Sequence, residues 1–250
     1  MTLDGKTCLI TGGSSGIGAA TALEFARRGA DIAICGLPAD ETLAQGVKRD
    51  VEGLNRKALV ISADLSDPTE AALCVQRTND WFGRLDVLVH CAGNGAPGSL
   101  TEVNPRDWYK AFDVHVHAAF HLARAVVPCM VERHEGAILL ISSAAGARGC
   151  LGAVAYGVAK GSIPQLTRAL ARELADFNIR VNCVSPGIVR TRFQDYLAPE
   201  QVQNNIQNRI PLHREGRPED VAQMLAALAE NDFVTGAEVP VDGGMTMRMA

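Results

Sequence analysis

The segment Thr11-Gly-Gly-Ser-Ser-Gly-Ile-Gly18 decides the fold class of this 250-residue chain. It follows a short apolar run at residues 7–10, which is typical of a buried strand. It precedes a stretch of helical spacing at residues 17–28, which Gly29 is expected to end. Together these parts predict a strand, a glycine-rich turn and a helix in direct succession.

The glycines and serines of this turn predict a site for a phosphate group. Gly12 permits a tight turn, Gly16 lets the backbone approach a pyrophosphate, and Gly18 lets the helix pack on the strand. The helix start presents free N–H groups and the positive end of its dipole, and Ser14 and Ser15 add hydroxyl donors. Glycine clusters also mark ordinary turns, but the position between strand and helix favours phosphate binding.

Further along the chain, short strands rich in Val, Ile, Leu and Ala alternate with helices. Strands are predicted at residues 31–35, 58–62, 87–90, 136–142, 179–184 and 238–241, and helices up to about 54, after 68 and over 156–177. This alternation indicates a parallel sheet that right-handed crossovers cover on both faces. We therefore expect residues 1–250 to form a single α/β domain, a doubly wound Rossmann fold with a central parallel sheet of about seven strands. Residues 188–217 are the least patterned and are predicted to form a substrate lid.

The composition excludes several classes of protein. Apolar residues make up 47% of the chain, which excludes intrinsic disorder, and the net charge of −4 argues against a nucleic-acid partner. Seven cysteines at wide spacing, without a C-x-x-C pair, favour reduced thiols over disulfides or structural zinc. The start of the chain lacks a signal-peptide pattern, and no apolar run approaches the length of a membrane span. We expect a soluble cytoplasmic protein without a membrane partner.

The spacing Thr-Gly-x-x-x-Gly-x-Gly resembles that of the classical short-chain dehydrogenases/reductases. Four further segments resemble the family in the expected order: Asp64-Leu65, Ala92-Gly93, Tyr156-x-x-x-Lys160 and Pro186-Gly187. The ending at residues 235–244 is similar to the family's final strand, so the resemblance spans essentially the whole chain. It implies an NAD(P)-dependent enzyme that acts on a small-molecule ketone or secondary alcohol. The implied cofactor-binding residues are Gly12, Ser14, Ser15, Gly16, Ile17, Gly18, Leu37, Asp64, Leu65, Ala92, Gly93, Tyr156, Lys160, Pro186, Gly187, Ile188 and Thr191.

Tyr156 and Lys160 are the first candidates for chemistry. Four residues apart on a predicted helix, they share one face. A free tyrosine has a pKa near 10, and a nearby ammonium group lowers that pKa and favours proton exchange. The resemblance implies that Tyr156 protonates the substrate oxygen during hydride transfer, that Ser143 holds this oxygen, and that Lys160 also donates to the nicotinamide ribose. Without Ser143 and the upstream phosphate turn, the simpler interpretation would be that Tyr156 is a half-buried aromatic residue and Lys160 a solvated charge.

Two positions depart from the family pattern. His90-Cys91 replaces the usual Asn-Asn, and His115 replaces the catalytic Asn. His115 could hold a water molecule or relay a proton near neutral pH; alternatively, the relay is impaired and the enzyme is slow. We expect retained activity. We expect no functional metal, because His115 and His117 point apart on a helix, and His117 and His121 have no carboxylate or thiol at ligand spacing.

The choice between NAD and NADP depends on the end of the second strand, Ile34-Cys35-Gly36-Leu37-Pro38. There is no acidic residue at Gly36, no arginine at Leu37 and no basic residue inside the glycine turn. A phosphate dianion without a cation is less favourable than a ribose without a carboxylate, which favours NAD. Backbone donors around Gly36 could reverse this preference.

The predicted substrate pocket is lined by Asn94-Gly95, Ala144, Cys150-Leu151 and the lid around Phe193 and Tyr196, and these residues favour an uncharged, fairly apolar substrate. Arg148 could meet an anionic group or be a solvated loop charge. Reduction of 3-oxoacyl thioesters is one subclass that fits.

Two further expectations concern the chain as a whole. A non-catalytic nucleotide-binding or scaffold protein on the same fold is the alternative function. The resemblance also implies a homo-oligomer, a tetramer, in which the helix with Tyr156 and the preceding helix pack across subunits.

Overall fold

The computed structural model describes residues 1–194, apart from the side chain of Phe193, and residues 198–247. In this part of the chain, seven parallel strands form one sheet in the order β3-β2-β1-β4-β5-β6-β7. The strands are β1 (Thr7–Thr11), β2 (Asp31–Gly36), β3 (Ala58–Ser62), β4 (Val87–His90), β5 (Gly136–Ile141), β6 (Ile179–Pro186) and β7 (Glu238–Val241).

Helices connect the strands and cover both faces of the sheet. They are α1 (Gly16–Arg27), α2 (Glu41–Glu52), α3 (Pro68–Phe82), α4 (Pro105–Phe112), α5 (Ala118–Arg133), α6 (Ala144–Ala147), α7 (Val154–Leu174), α8 (Pro199–Asn204) and α9 (Pro218–Glu230). Side chains of α1, α2 and α9 share one core cluster with the sheet, and those of α3, α5 and α7 share another. Strands such as β1 and β5 are buried along their full length, which explains their continuous apolar composition.

The predicted fold class is confirmed, and the strand boundaries agree to within two residues. The pattern did not predict α9. Its start nevertheless carries a local signal, because Pro218 occupies the first turn together with the acidic Glu219 and Asp220. The β1 and β4 strands are neighbours, so the order reverses between them, and ligands of such sheets bind at the carboxyl ends of the strands beside this point.

The helical stretch Pro105–Arg133 corrects one expectation from the sequence. It comprises α4, a π-helical turn at Asp113–His117 and α5, and by length and composition alone it could cross a membrane. An apolar run of that length is therefore present. Within this fold, the face of α5 that carries Leu122, Val126 and Met130 is buried in the core cluster shared with α3 and α7. Packing on the sheet accounts for the apolar composition of this helix.

Candidate active site

A cleft of about 590 Å³ opens at the carboxyl edge of the sheet. The predicted site residues that line it come from both halves of the fold. They are Gly12, Ser14, Ser15, Gly16, Ile17, Gly18, Leu37, Asp64, Leu65, Ala92, Gly93, Asn94, His115, Ser143, Ala144, Tyr156, Lys160, Pro186, Gly187, Ile188 and Thr191.

One predicted substrate residue does not line the cleft. Leu151 is not among the residues that line the cleft, and its side chain is fully exposed at 100%. It belongs to a turn in which Gly152 has a φ of +71°, whereas its neighbour Cys150 does line the cleft. Tyr196 and the side chain of Phe193 lie outside the described residues.

The glycine turn packs tightly against the end of β4. A Cβ atom on Gly12, whose φ is +62°, would lie 2.8 Å from the backbone nitrogen of Ala92. That nitrogen donates a hydrogen bond to the Thr11 hydroxyl at 3.2 Å. Gly16 has a φ of +54°, and a Cβ atom there would lie 3.2 Å from the Thr191 methyl group. The turn therefore requires glycine both for its backbone conformation and for its close approach to neighbouring segments.

Lys160 is buried beside Tyr156. Its Nζ atom donates a hydrogen bond to the carbonyl oxygen of Ile141 at 2.8 Å and lies 5.9 Å from the centre of the Tyr156 ring. Burial lowers the pKa of Lys160 to about 8, because desolvation penalises the ammonium form. The lysine thus carries a proton that it loses more readily than a surface lysine would.

Ser143 is held at the start of α6, next to the tyrosine–lysine pair. Its hydroxyl oxygen accepts a hydrogen bond from the Ala145 nitrogen at 3.1 Å and caps the short helix. The preceding Ser142 donates to the carbonyl oxygen of Lys160 at 2.9 Å, which ties the end of β5 to α7. The structure therefore brings Ser143, Tyr156 and Lys160 to one wall of the cleft.

His115 lies inside the π-helical turn, an irregularity that is frequent at functional sites. Its Nε2 atom lies 2.9 Å from the carbonyl oxygen of Asn94, so Nε2 must carry the proton and donate. Its Nδ1 atom is then an acceptor, buried without a hydrogen-bond partner among the described residues. Burial and the nearby Lys160 lower the pKa of His115 to about 2, so the ring is neutral. The ring is perpendicular to that of Tyr156, with centroids 5.5 Å apart.

His90 joins three segments beneath the cleft. Its Nε2 atom lies 3.1 Å from the carbonyl oxygen of Val114 and donates to it. Its Nδ1 atom, 2.9 Å from the hydroxyl of Thr11, then accepts from that hydroxyl. Because Thr11 also accepts from Ala92, the network links the glycine turn, the end of β4 and the π-helical turn. Burial lowers the pKa of His90 to about 4 and keeps it neutral.

Several residues of the cleft were not predicted. Asp40 lies in a 3₁₀ turn directly after β2 and lines the cleft, with its Cβ 4.0 Å from the position of a Cβ built on Gly36. An acidic residue four positions beyond the strand end is the signal that could have revealed it. The other charged members of the lining that the sequence did not suggest are Lys110, Arg192 and Arg209.

The remaining histidines of the π-helical region serve local contacts. His117 is exposed and pairs with Asp113 at 3.0 Å, and the ring of His121 packs edge-on against Phe120. In the stretch of chain that the structure describes, no group of three or more His, Cys, Asp or Glu side chains is arranged to hold a metal ion.

Comparisons with known proteins show which families and structures this chain is similar to. A family model described as enoyl-(acyl carrier protein) reductase matches residues 12–246. The chain is 38% identical over 249 residues to the 3-oxoacyl-[acyl-carrier-protein] reductase FabG of Thermotoga maritima, covering 99% of this chain and 100% of that one. It is 34% identical over 263 residues to a cyclohexanol dehydrogenase of Rhodococcus sp., covering 98% and 97%. A solved short-chain type dehydrogenase/reductase from Mycobacterium marinum has a TM-score of 0.93 at 31% identity, covering 99% of this chain and 98% of that one.

The sheet order and the glycine turn define a Rossmann-type dinucleotide-binding fold, and the relatives named above are dehydrogenases or reductases. The chain belongs to the short-chain dehydrogenase/reductase family, as its sequence resemblance implied. The protein is accordingly an NAD(P)-dependent dehydrogenase/reductase.

Proposed function

We propose that this enzyme interconverts a ketone and a secondary alcohol, with Tyr156 as the general acid/base. The observation that carries the proposal is the burial of Lys160 with its ammonium group 5.9 Å from the Tyr156 ring, on the same wall of the cleft as Ser143. A buried cation stabilises phenolate over phenol, which favours proton exchange between Tyr156 and the substrate oxygen. The Ser143 hydroxyl donates to the substrate oxygen and holds it beside the phenol.

The residues of the cleft fit a nicotinamide dinucleotide. Gly12 and Gly16 leave room where a Cβ would collide, and the start of α1 offers N–H groups to a pyrophosphate. Ser14, Ser15, Ile17, Gly18, Leu37, Asp64, Leu65, Ala92, Gly93, Pro186, Gly187, Ile188 and Thr191 would complete the contacts, together with Tyr156 and Lys160. When bound, the nicotinamide supplies or accepts the hydride.

His115 takes the role of holding a water molecule rather than relaying a proton itself. A relay needs a ring that is readily protonated, and a pKa of about 2 prevents this at neutral pH. The Nδ1 atom is a buried acceptor without a hydrogen-bond partner among the described residues, and His115 belongs to the cleft lining. A water molecule that donates to Nδ1 would satisfy this acceptor.

The enzyme prefers NAD over NADP, and Asp40 is the reason. A carboxylate beside the end of β2 can accept hydrogen bonds from the ribose hydroxyls and repels a 2′-phosphate. Asp40→Asn should therefore reduce the ratio of kcat/KM for NAD over that for NADP by about tenfold, a change of roughly 1.4 kcal/mol. Asp50→Asn, an exposed change of equal charge on α2 outside the cleft lining, serves as the control.

A carbonyl panel tests the main proposal. Oxidation of NADH and NADPH is followed with ketones, diketones and 3-oxoacyl thioesters, with Tyr156→Phe as the matched variant. We expect the variant to lose about 100- to 10,000-fold in kcat while its affinity for the dinucleotide stays within a few-fold. If the wild type binds the cofactor but converts no substrate faster than Tyr156→Phe does, the result would favour the non-catalytic alternative.

Two further features belong to this proposal. Residues 188–217 act as the substrate lid, which is supported by the positions of Ile188, Val189 and Asn205 along the cleft. The enzyme is a homo-oligomer, a tetramer, which is supported by exposed apolar side chains on the helices that the family buries between subunits: Phe120 on α5 and Val158 on α7 are 46% and 48% exposed. Sedimentation velocity of the purified chain tests the oligomeric state.

A further inference from the structure

The charged side chains along the cleft are segregated by sign. Among the described lining residues, the carboxylates are Asp40 and Asp64, which follow β2 and β3 at one end of the sheet. Apart from the buried Lys160, the cations are Lys110, Arg148, Arg192 and Arg209, and all follow β4, β5 or β6. The carboxylates of the cleft thus belong to the β2–β3 side of the sheet, and the cations to segments that follow β4, β5 and β6.

Contacts along the rim connect two of these arginines. The Nε atom of Arg148 donates to the carbonyl oxygen of Thr246 at 3.0 Å. The same C-terminal segment contacts the chain near Arg209, because the carbonyl oxygen of Gly243 accepts a hydrogen bond from the backbone nitrogen of Leu212 at 3.1 Å. A continuous rim thus runs from α6, through the C-terminal segment, to the proposed lid.

Hydrogen bonds to Asp242 hold the C-terminal part of this rim in place. The carboxylate of Asp242 accepts from the nitrogens of Gly244 and Thr246 at 2.8 and 2.7 Å, and from the Thr246 hydroxyl at 2.6 Å. Burial raises the pKa of Asp242, but these hydrogen bonds outweigh burial and hold the pKa below its usual value. Asp242 is thus ionised, but its carboxylate oxygens accept hydrogen bonds from its own loop and form no ion pair with the described arginines of the cleft.

The cations keep their charge available to a ligand. Arg209 donates to the amide oxygen of Asn205 at 2.9 Å, and Arg148 to a carbonyl oxygen; neither acceptor bears a charge. Lys110 is exposed one helical turn before Val114, which also lines the cleft. We set Arg192 aside, because its neighbour Thr191 packs at Gly16 beside the expected pyrophosphate.

We propose that the substrate is a carbonyl compound that carries an anionic group, a carboxylate or a phosphate, which Arg148 and Arg209 bind at the rim beside the C-terminal segment. This inference rests on the proposed function and replaces the uncharged, apolar substrate expected from the sequence. Guanidinium groups bind both anions in a bidentate manner, so the two sources share one recognition chemistry. Of the substrate residues noted in the sequence, Asn94 and Ala144 line the same cleft as these cations.

Three probes test the proposal and distinguish the two anions. Acetoacetate carries a carboxylate, acetoacetyl-coenzyme A carries phosphates, and methyl acetoacetate carries no charge. With NADH in excess, we expect kcat/KM for at least one anionic probe to exceed that for the ester about tenfold. The double variant Arg148→Gln, Arg209→Gln should lose this advantage through KM while the KM for NADH is unchanged.

Control variants separate local recognition from net charge and from misfolding. Arg172→Gln removes an exposed charge on α7 outside the cleft lining and should leave the ratio unchanged. Arg148→Lys keeps the charge but not the paired donors, and should retain more of the advantage of the anionic probe than Arg148→Gln does. The proposal would be overturned if kcat/KM for the methyl ester equals that for both anionic probes. It would also be overturned if the double variant keeps the higher kcat/KM for an anionic probe.

Dissociation constants keep this test separate from the proposed reaction. The three probes are titrated against the enzyme saturated with NAD⁺, and binding heat is measured. Anion-selective binding that the double variant loses, without turnover of any probe, would support the inference while refuting the proposed chemistry. Absence of anion-selective binding would overturn the inference even if the ester is reduced.

Discussion

Three ionisable side chains are buried at or near the cleft: Lys160, His90 and His115. Burial lowers the pKa of Lys160 to about 8, that of His90 to about 4 and that of His115 to about 2, and the charge on Lys160 further lowers both histidine values. The two histidines therefore act as neutral hydrogen-bonding groups with fixed tautomers. The lysine is the only one of the three that changes its protonation state near the working pH of most enzymes.

The neutral histidines make the protein sensitive to acid. In the unfolded chain both histidines titrate near 6.5, whereas in the folded protein their pKa values are lower. Below pH 6.5 the unfolded state therefore binds more protons, and the free energy of unfolding decreases as the pH falls.

We predict that His115→Asn makes this decrease shallower between pH 6.5 and 4.5, measured by urea unfolding without cofactor. His134→Asn, a change at an exposed histidine, should retain the wild-type slope. Equal slopes for His115→Asn and the wild type would contradict the burial of a neutral ring.

The buried Lys160 affects the free energy of unfolding at alkaline pH. Its pKa is about 8 in the folded protein against 10.5 as the ordinary value, so the unfolded state binds more protons between these limits. The contribution of this group to the free energy of unfolding rises from pH 8 to 10, by at most about 1.4 kcal/mol per pH unit. Burial raises the pKa of thiols such as Cys91 and Cys183, which contribute in the opposite direction over this range. Lys160→Met should therefore have a more negative alkaline slope than the wild type. An unchanged alkaline slope in the variant would show that the lysine titrates as if exposed.

At the level of elements, the catalytic wall depends on how closely α6 and α7 pack. A Cβ atom built on Gly146 would lie 2.7 Å from the backbone nitrogen of Gly161, and Ser143 caps the start of α6 while α7 carries Tyr156 and Lys160. Any separation of the two helices would therefore move the serine away from the tyrosine. Such contacts between backbones cannot relax by rotating a side chain.

Gly146→Ala should lower the free energy of unfolding by about 1–3 kcal/mol and reduce kcat more than it raises the KM for NADH. Gly46→Ala provides the matched change, because the added Cβ would have no heavy atom within 4 Å in the middle of α2. There we expect stabilisation by about 0.5–1 kcal/mol and unchanged activity. Equal losses in both variants would contradict the tight α6–α7 contact.

Across the whole molecule, the cleft joins the two halves of the sheet. The β1–β3 half contributes the glycine turn and Asp40, and the β4–β6 half contributes Ser143, Tyr156 and Lys160. A dinucleotide that spans the cleft would contact both halves, so its binding energy would stabilise the complete fold.

We predict that NAD⁺ at 100 times its Kd raises the free energy of unfolding by about 2.7 kcal/mol, measured by chemical denaturation. NADP⁺ at the same concentration should stabilise less, because Asp40 disfavours the 2′-phosphate. AMP, which occupies only the half with Asp40, serves as the comparison and should require a higher concentration for the same shift. No stabilisation by either dinucleotide would refute the cofactor assignment of the cleft.

Much of the fold and part of the candidate site could be predicted from local patterns. Continuous apolar runs indicated the strands because both faces of a parallel sheet are buried, and the glycine turn followed from backbone requirements at Gly12 and Gly16. The four-residue spacing of Tyr156 and Lys160 placed both on one helical face. The chemical roles assigned to these residues stay predictions, and the variants above test them.

The amino-acid sequence alone determined the class of fold, the position of the phosphate turn and the pairing of the tyrosine with its lysine, because each depends on neighbours within one or two helical turns. Only the tertiary structure decided that His90 and His115 are neutral, that Asp40 reaches the cleft, that Leu151 does not line it, and that Arg148 and Arg209 share a rim. Those features depend on segments up to about a hundred residues apart, such as Arg148 and Thr246. Burial, charge and close approach across such distances arise from packing of the whole chain, which no local pattern encodes.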